Sequence, residues 1–303
     1  MAKLSFAIMG ATGHIGHYLS EELLKRGHKV RALGRDAGKL QGLKAKGAEI
    51  LTGDSTDSAF LAKAFKGCQA VFSFLPPGLD AVDMEVFREK TGEAIVQAVV
   101  KAKISHVINL SSIGADLSSG TGPIKALHAQ EERLNSIEKL NVLHFRPGYF
   151  MENLLWSIPS IKSSGMIATS LKGDLPIPMV ATRDIALKLA EFFDALKFHG
   201  TSVFEFAGPQ AITMGEATKM IGKAIGKPDL KYKQLSHDEA EKAMIASGMK
   251  HQIAKLFVDM NSAFNEKRIL FTQQLTAEHK GKTDFEEFAK AFSQMYRSTK
   301  KAA

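Results

Sequence analysis

The spacing of apolar positions along this chain switches back and forth between two periods. Residues 4–9 form a short, mostly apolar run, as expected of a strand buried on both faces. After Gly16 the period changes: Tyr18, Leu19, Leu23 and Leu24 share one face of a helix that reaches about Arg26. The exchange then repeats. Further strands are predicted at 29–33, 49–52, 69–75, 106–110 and 142–145, with helices at 37–46, 58–65, 83–103 and 125–140 between them. Pro76-Pro77-Gly78 stops the fourth strand, and Gly67 ends the third helix. Strand–helix alternation of this kind requires a parallel sheet covered on both faces by right-handed crossovers. Ligands of such sheets bind at the carboxyl ends of the strands. The loops at 10, 35, 54, 76, 111 and 147 all fall on that one edge.

The first of these loops reads Gly10-Ala-Thr-Gly13-His-Ile-Gly16, with the spacing Gly-x-x-Gly-x-x-Gly. Each glycine has its own physical task. Gly10 permits a tight turn off the strand, Gly13 lets main chain approach a diphosphate with no Cβ in the way, and Gly16 lets the helix pack close to the strand. The helix then aims its unpaired N–H groups and positive dipole end at the phosphates. Such a turn can also occur without binding anything. Here a strand-like run precedes it and a helix-like run follows, the context that dinucleotide binding needs. The expected fold class is α/β, a Rossmann-type doubly wound parallel sheet. Residues 1–150 form the NAD(P)-binding domain, and 151–303 form a smaller C-terminal α+β lobe over the substrate, mostly helical, with strand returns to the main domain.

The other strand ends supply the remaining candidates. Arg35 follows the second strand, where an Arg pairs with a ribose 2′-phosphate and an acid would instead accept from a 2′-hydroxyl. Arg31 lies four residues earlier on the same face, and Asp36 follows. NADP is therefore preferred over NAD, the competing reading being a surface arginine in a turn. Asp54 is placed to bond an adenine amino group, while Ser55 or Asp57 caps the next helix. Pro76 stiffens a loop over the crevice beside Leu75. Ser111 and Ser112 either bond the nicotinamide ribose or merely end a strand. The expected cofactor-binding set is Gly10, Thr12, Gly13, His14, Ile15, Gly16, Arg35, Asp54, Ser55, Leu75, Pro76, Ser111 and Pro147.

Beyond residue 150 the pattern is less regular. A helix at 154–163 is interrupted by Pro159, and Leu175-Pro-Ile-Pro-Met-Val is extended. Thr182 or Asp184 caps a helix to about Phe193, and residues 202–206 form a strand. Thr213 with Glu216 reads as a capping box, and Ser236 opens another helix.

Composition narrows the class. With 45% hydrophobic and 24% charged residues, the chain is ordinary for a globular protein. The single cysteine, Cys68, excludes an internal disulfide and fits a reducing compartment, taken as the cytoplasm. The first residues lack the pattern of a secretory signal, and no apolar stretch approaches the roughly 20 residues of a membrane span. A net charge of +8 raises the question of nucleic acid. The lysines, however, are scattered over helical solvent faces, and the one tight cluster, 297–301, reads as a frayed tail. A small-molecule substrate is expected, with neither nucleic acid nor membrane as partner, and a homo-oligomer is left open. With no His-x-x-x-His or His-Glu-x-x-His, no metal site is expected. Hydrolase and nucleoside-triphosphatase loops are likewise missing.

The chain resembles the NmrA-like group of atypical short-chain dehydrogenases/reductases. The matching stretches are Gly-Ala-Thr-Gly-His-Ile-Gly at 10–16, Gly-Arg-Asp at 34–36, Gly-Asp at 53–54, Arg-Pro-Gly-Tyr-Phe-Met-Glu-Asn at 146–153, Thr-Arg-Asp-Ile-Ala at 182–186 and Phe-Glu-Phe-Ala-Gly-Pro at 204–209. The resemblance implies a Rossmann domain holding NADP, a small lobe closing a substrate cleft, and kinship to NAD(P)H:quinone oxidoreductases and NAD(P)H-sensing regulators. Reductases of the wider superfamily use Tyr-x-x-x-Lys as proton donor and helper. Among Tyr18, Tyr149, Tyr232 and Tyr296, only Tyr296 has Lys four residues later, Lys300 of the terminal basic cluster, and none lies in the region expected to carry the pair. Lys125 and His128 remain as candidates on the corresponding helix. His128 is either a proton donor near neutral pH or a helix-face histidine without chemistry. Tyr149 either lines the substrate pocket or packs against the C-terminal lobe. The expected activity is reduction of a small, apolar, conjugated acceptor such as a quinone; the alternative is a non-catalytic NADP(H) sensor.

Overall fold

The computed structural model describes residues 3–299, which form two compact units. The first holds residues up to Ser118, Lys125–Arg146 and Ile185–Phe204; the second holds Ser119–Ile124, Pro147–Asp184 and the chain from Glu205 onward. In chain order the elements are β1 (Ser5–Ile8), α1 (His14–Lys25), β2 (Lys29–Gly34), α2 (Ala37–Ala45), β3 (Glu49–Thr52), α3 (Ser58–Phe65), β4 (Ala70–Phe74), α4 (Met84–Ala102), β5 (His106–Leu110), α5 (Lys125–Asn135) and β6 (Asn141–Pro147). They continue with β7 (Tyr149–Phe150), α6 (Ile158–Ser164), β8 (Met166–Thr169), β9 (Met179–Val180), α7 (Thr182–Ala195), β10 (Thr201–Phe206), α8 (Met214–Ala224), β11 (Lys231–Gln234), α9 (His237–Ala246), α10 (His251–Asn265) and α11 (Phe285–Ser298). Of the basic tail, Arg297 lies in α11, and Lys300 and Lys301 lie outside the described residues.

A seven-stranded sheet with the order β10-β6-β5-β4-β1-β2-β3 forms the first unit, with β1–β6 paired in parallel. The expected α/β, Rossmann-type doubly wound architecture is therefore present. Its strand order reverses between β1 and β4, which puts the ligand crevice of such a sheet beyond the carboxyl ends of those two strands. Burial explains the run of apolar residues: Phe6, Ala7 and Ile8 of β1 and Ala70 and Val71 of β4 are fully inaccessible. Aspartates set where the helices begin. Asp36, Asp57 and Asp83 each accept two backbone N–H groups at the starts of α2, α3 and α4. Asp57, not Ser55, is thus the cap of α3. Along α4, Ala94, Ile95, Ala98 and Val99 face the core, and Val86 is exposed.

One polar row crosses this sheet. Ser73, Asn109 and His144 occupy matched positions on β4, β5 and β6. Ser73 Oγ donates to Asn109 Oδ1 at 3.2 Å, Asn109 Nδ2 lies 3.3 Å from His144 Nδ1, and His144 Nε2 lies 2.8 Å from Asn135 Oδ1. An amide nitrogen only donates and an amide oxygen only accepts, so His144 is held neutral with its proton on Nε2.

Carboxylates that reach across the chain organise the second unit. Glu152 accepts Thr182 N–H at 3.0 Å and its hydroxyl at 2.6 Å. Asp184 does the same for Thr283, at 2.7 and 2.9 Å, and Glu205 for Thr272, at 2.8 and 2.9 Å. Neither Thr182 nor Asp184 therefore serves as the expected side-chain cap of α7. Glu152 takes the N–H of the first helical residue, and Asp184 is directed to another loop. Pro159 does not interrupt a helix. It opens α6 after a 3₁₀ stretch at Met151–Ser157, in the first turn, where a missing N–H costs nothing. α5 stops five residues short of the expected 140, because the chain turns through Lys139 at φ 62° to enter β6. The capping boxes at Thr213/Glu216 and Ser236/Glu239 are present as read.

Burial among β4–β6 pushes the His144 imidazole down from 6.5 to about 4. The unfolded chain binds this proton below about pH 6.5, whereas the folded chain resists it until about pH 4. Folding stability should therefore be full above about pH 6.5 and decline by about 3 kcal/mol as the pH falls toward 4. Urea unfolding from pH 7 to 4.5 should show this decline, and His144→Gln should lose most of the slope.

Candidate functional site

The glycine turn leaves β1 and enters α1 within a few residues. Gly10 sits at φ +64°, and a Cβ there would lie 2.2 Å from the Phe74 ring at the end of β4. A Cβ on Gly16 would lie 2.4 Å from Gly10 O. Both glycines are demanded by the protein's own packing. Gly13 is different. It is the N-cap of α1 in extended conformation, and a Cβ there would meet nothing nearer than Gly10 O at 3.4 Å, an ordinary contact. Thr12, Gly13 and His14 are exposed, and with His17 and Tyr18 they line an open depression of about 310 Å³. Ile15 and Gly16 are buried, so the Ile15 side chain belongs to the core.

The end of β2 touches this turn: a Cβ on Gly34 would lie 2.9 Å from Thr12 Cγ2. Arg35 follows and is exposed. The next residue, Asp36, has its carboxylate engaged by Gly38 N–H at 2.8 Å and Lys39 N–H at 3.3 Å. Arg31 does not accompany Arg35. Its guanidinium donates to Glu49 at 2.8 Å and to Lys66 O at 2.6 Å. Beyond β3, Asp54 is exposed and accepts Thr56 N–H at 2.9 Å, and Ser55 is half-buried. Beyond β4, Leu75 is buried and Pro76 half-buried.

At the ends of β5 and β6 lies a group of charges that strand and motif reading did not single out. Ser111 Oγ donates to Glu131 Oε1 of α5 at 2.5 Å. Arg146 grips the same carboxylate from β6, with Nε to Oε1 at 2.9 Å and Nη2 to Oε2 at 2.5 Å. All three residues are buried, and Asp116, 3.9 Å from Arg146 Nη1, lies at the edge of the group. The available signal was Arg146 itself, a charge at the end of an otherwise apolar strand. A buried charge needs a partner, and Glu131 and Glu132 on the preceding helix were the candidates.

Each expected proton-transfer residue has a partner of its own. Lys125 is half-exposed and paired with Glu85 at 2.6 Å. His128 Nδ1 lies 2.8 Å from Ala115 O, and because a carbonyl only accepts, Nδ1 carries the proton and the ring is fixed in orientation. Pro147 and Tyr149 belong to the second unit. There Tyr149 meets the Phe264 ring edge-to-face at 6.1 Å, and burial pushes its phenol up to about 12. The turn at 10–16, Arg35, Asp54, Ser55, Leu75, Pro76 and Ser111 do share one edge of the sheet in the first unit.

With this geometry in hand, comparison with known proteins gives a consistent answer. An NAD(P)H azoreductase from Xenophilus azovorans is 27% identical over 249 residues, covering 82% of this chain and 82% of that protein. Quinone oxidoreductase 2 of Escherichia coli K12 is 26% identical over 257 residues, covering 84% of this chain and 85% of that protein. The crystal structure of NADPH-dependent quinone oxidoreductase QOR2 from Escherichia coli complexed with NADPH superposes with a TM-score of 0.79, at 23% identity, over 94% of this chain and 99% of that one, which establishes the shared fold. The model of the NmrA-like family matches residues 3–289, nearly the whole length, and the chain belongs to that family.

Proposed function

We propose that this protein is an NAD(P)H-dependent oxidoreductase that reduces a small, apolar, conjugated acceptor such as a quinone. The observation that carries the reading is Gly13. The fold itself requires glycine at 10 and 16 but not at 13, where a Cβ would have room on the protein side. A bare main chain at the N-cap of α1, on the edge where the strand order reverses, suits a diphosphate that must approach closer than a side chain would allow. The residues fit a dinucleotide: the turn at 10–16 would hold the diphosphate, Asp54 and Ser55 the adenine end, and Leu75, Pro76 and Ser111 the far half. When bound, the nicotinamide supplies a hydride. Azo and quinone groups, the acceptors named for the two curated relatives, are both conjugated. A conjugated ring stabilises the negative charge that hydride addition leaves behind, so it needs less help from a protein acid than an isolated ketone. This suits a site without the Tyr-x-x-x-Lys pair.

NADP is favoured over NAD because the competing carboxylate is occupied. Asp36, the only acid beside Arg35 at the end of β2, is spent on the first turn of α2. Arg35 is left exposed for a 2′-phosphate, which it can bind bidentately.

A second reading has an observation of its own. The Tyr149 phenol is raised to about 12, Lys125 is tied to Glu85, and the Ser111 proton is given to Glu131. The Nδ1 proton of His128 is likewise given to Ala115 O, which leaves its Nε2 as the remaining position for proton transfer. A protein in which it too is inert would bind NADP(H) without turning it over, as a redox sensor.

Calorimetry with NADPH and NADP⁺, followed by NADPH oxidation across a quinone panel, separates the two readings. Binding with turnover supports the reductase, binding without turnover the sensor, and no binding removes both. Gly13→Asp should abolish NADPH binding while the protein still folds, whereas Gly16→Ala should chiefly lower the melting temperature. Arg35→Ala should weaken NADPH by about tenfold or more and leave NADH nearly unchanged, as loss of a charge-assisted hydrogen bond to phosphate requires. Equal loss for both cofactors would refute the NADP preference.

A further inference from the structure

We infer that Glu131 and Arg146 are positioning residues that make the Ser111 hydroxyl a hydrogen-bond acceptor for the dinucleotide. The inference rests on the cofactor reading above. Ser111 immediately follows β5 on the edge that carries the other cofactor candidates, and its main chain is stitched to β6 by a 2.8 Å bond from its N–H to Phe145 O. A serine hydroxyl has one proton to give and two lone pairs to offer. Here the proton is spent on Glu131 Oε1 at 2.5 Å. Glu131 cannot swing away to release it, because Arg146 holds both carboxylate oxygens in a two-pronged grip. The lone pairs are what Ser111 has left for a ligand. It can receive an O–H from a ribose or an N–H from a carboxamide, and it cannot at the same time donate to the oxygen of a reduced acceptor.

A buried ion pair by itself adds little to stability compared with apolar residues of the same volume, and one left without its partner is costly. The Glu131–Arg146 pair is better explained by what it does to Ser111. The carboxylate fixes the serine rotamer, and the guanidinium fixes the carboxylate. Three elements, β5, α5 and β6, thereby determine the polarity of one oxygen atom.

The test is equilibrium NADPH binding, read from nicotinamide fluorescence, on variants whose folding is checked by thermal melting. Ser111→Ala should weaken binding about fivefold, as expected for one neutral hydrogen bond, and Ser111→Thr should restore it to within about twofold. The paired variant Glu131→Leu/Arg146→Met removes both charges at similar volume and leaves Ser111 in place. It should weaken NADPH by a similar factor, and adding Ser111→Ala to it should cause no further loss. If the paired variant does not fold, Glu131→Gln takes its place in the same comparison. Wild-type affinity in Ser111→Ala overturns the inference, as does wild-type affinity in the paired variant. So does a full additional loss in the triple variant, which would mean that the pair acts independently of Ser111. A wild-type protein that binds no NADPH overturns the cofactor reading itself. That outcome differs from wild-type binding that Ser111→Ala leaves unchanged.

Discussion

Two missing Cβ atoms set the geometry of the sheet edge at which the strand order reverses. With no side chain at Gly10, the main chain leaving β1 can pass against the Phe74 ring at the end of β4. With none at Gly16, the first turn of α1 can close onto the carbonyl of Gly10. Together they bring the N-terminus of α1 to the gap where the sheet reverses its order, and orient its free N–H groups toward that gap. A methyl group at Gly16 would clash with main-chain atoms, and one at Gly10 with the Phe74 ring, at a positive φ that side-chain-bearing residues rarely adopt. Gly13, between them, is free of that constraint, and its presence calls for a cause outside the protein.

The two units manage buried polarity differently. In the first, polar groups line up across neighbouring strands: the Ser73–Asn109–His144 row follows directly from parallel register. A flat ladder of matched positions lets each donor meet the next acceptor, so a neutral histidine can sit inside the sheet at little cost. In the second unit the half-buried Glu152 and the buried Asp184 and Glu205 each take both the N–H and the hydroxyl of a threonine. The sheets there are only two strands wide, so the carboxylate–threonine clamps supply order that ladder hydrogen bonds supply elsewhere.

The region that would face a nicotinamide differs from that of reductases built on Tyr-x-x-x-Lys. There a cation lowers the pKa of a phenol. In this chain burial moves the proton affinity of the Tyr149 phenol, in the second unit, the other way. The buried charged group on this edge is that of Glu131 and Arg146, to which Ser111 gives its hydroxyl proton. Such an arrangement suits acceptors that stabilise their own negative charge.

Much of the fold was legible because its signals are local. β3, α3 and β5 fall where the apolar runs and turn residues put them, and Asp57, Thr213 and Ser236 cap the helices that follow them. A cap acts over two or three residues and a strand over five, so the chain carries that information within a short window. The same holds for the glycine spacing, which alone pointed to the turn. The misreadings arose where a distant group intervened. Thr182 looked like a cap, but Glu152, 30 residues earlier, takes its N–H; Asp184 looked like another, but Thr283, 99 residues later, claims it. Asp36 reads as a rival to Arg35 for the ribose, but its carboxylate is taken by Gly38 and Lys39. Ser111 gave no hint of which way its proton points. By itself, then, the sequence determined the succession of strands and helices, the edge where their loops gather and the glycine turn between β1 and α1. Only the tertiary structure decided which charged and polar groups are spent on one another, because that depends on distances between residues far apart in the chain, and no local pattern records them.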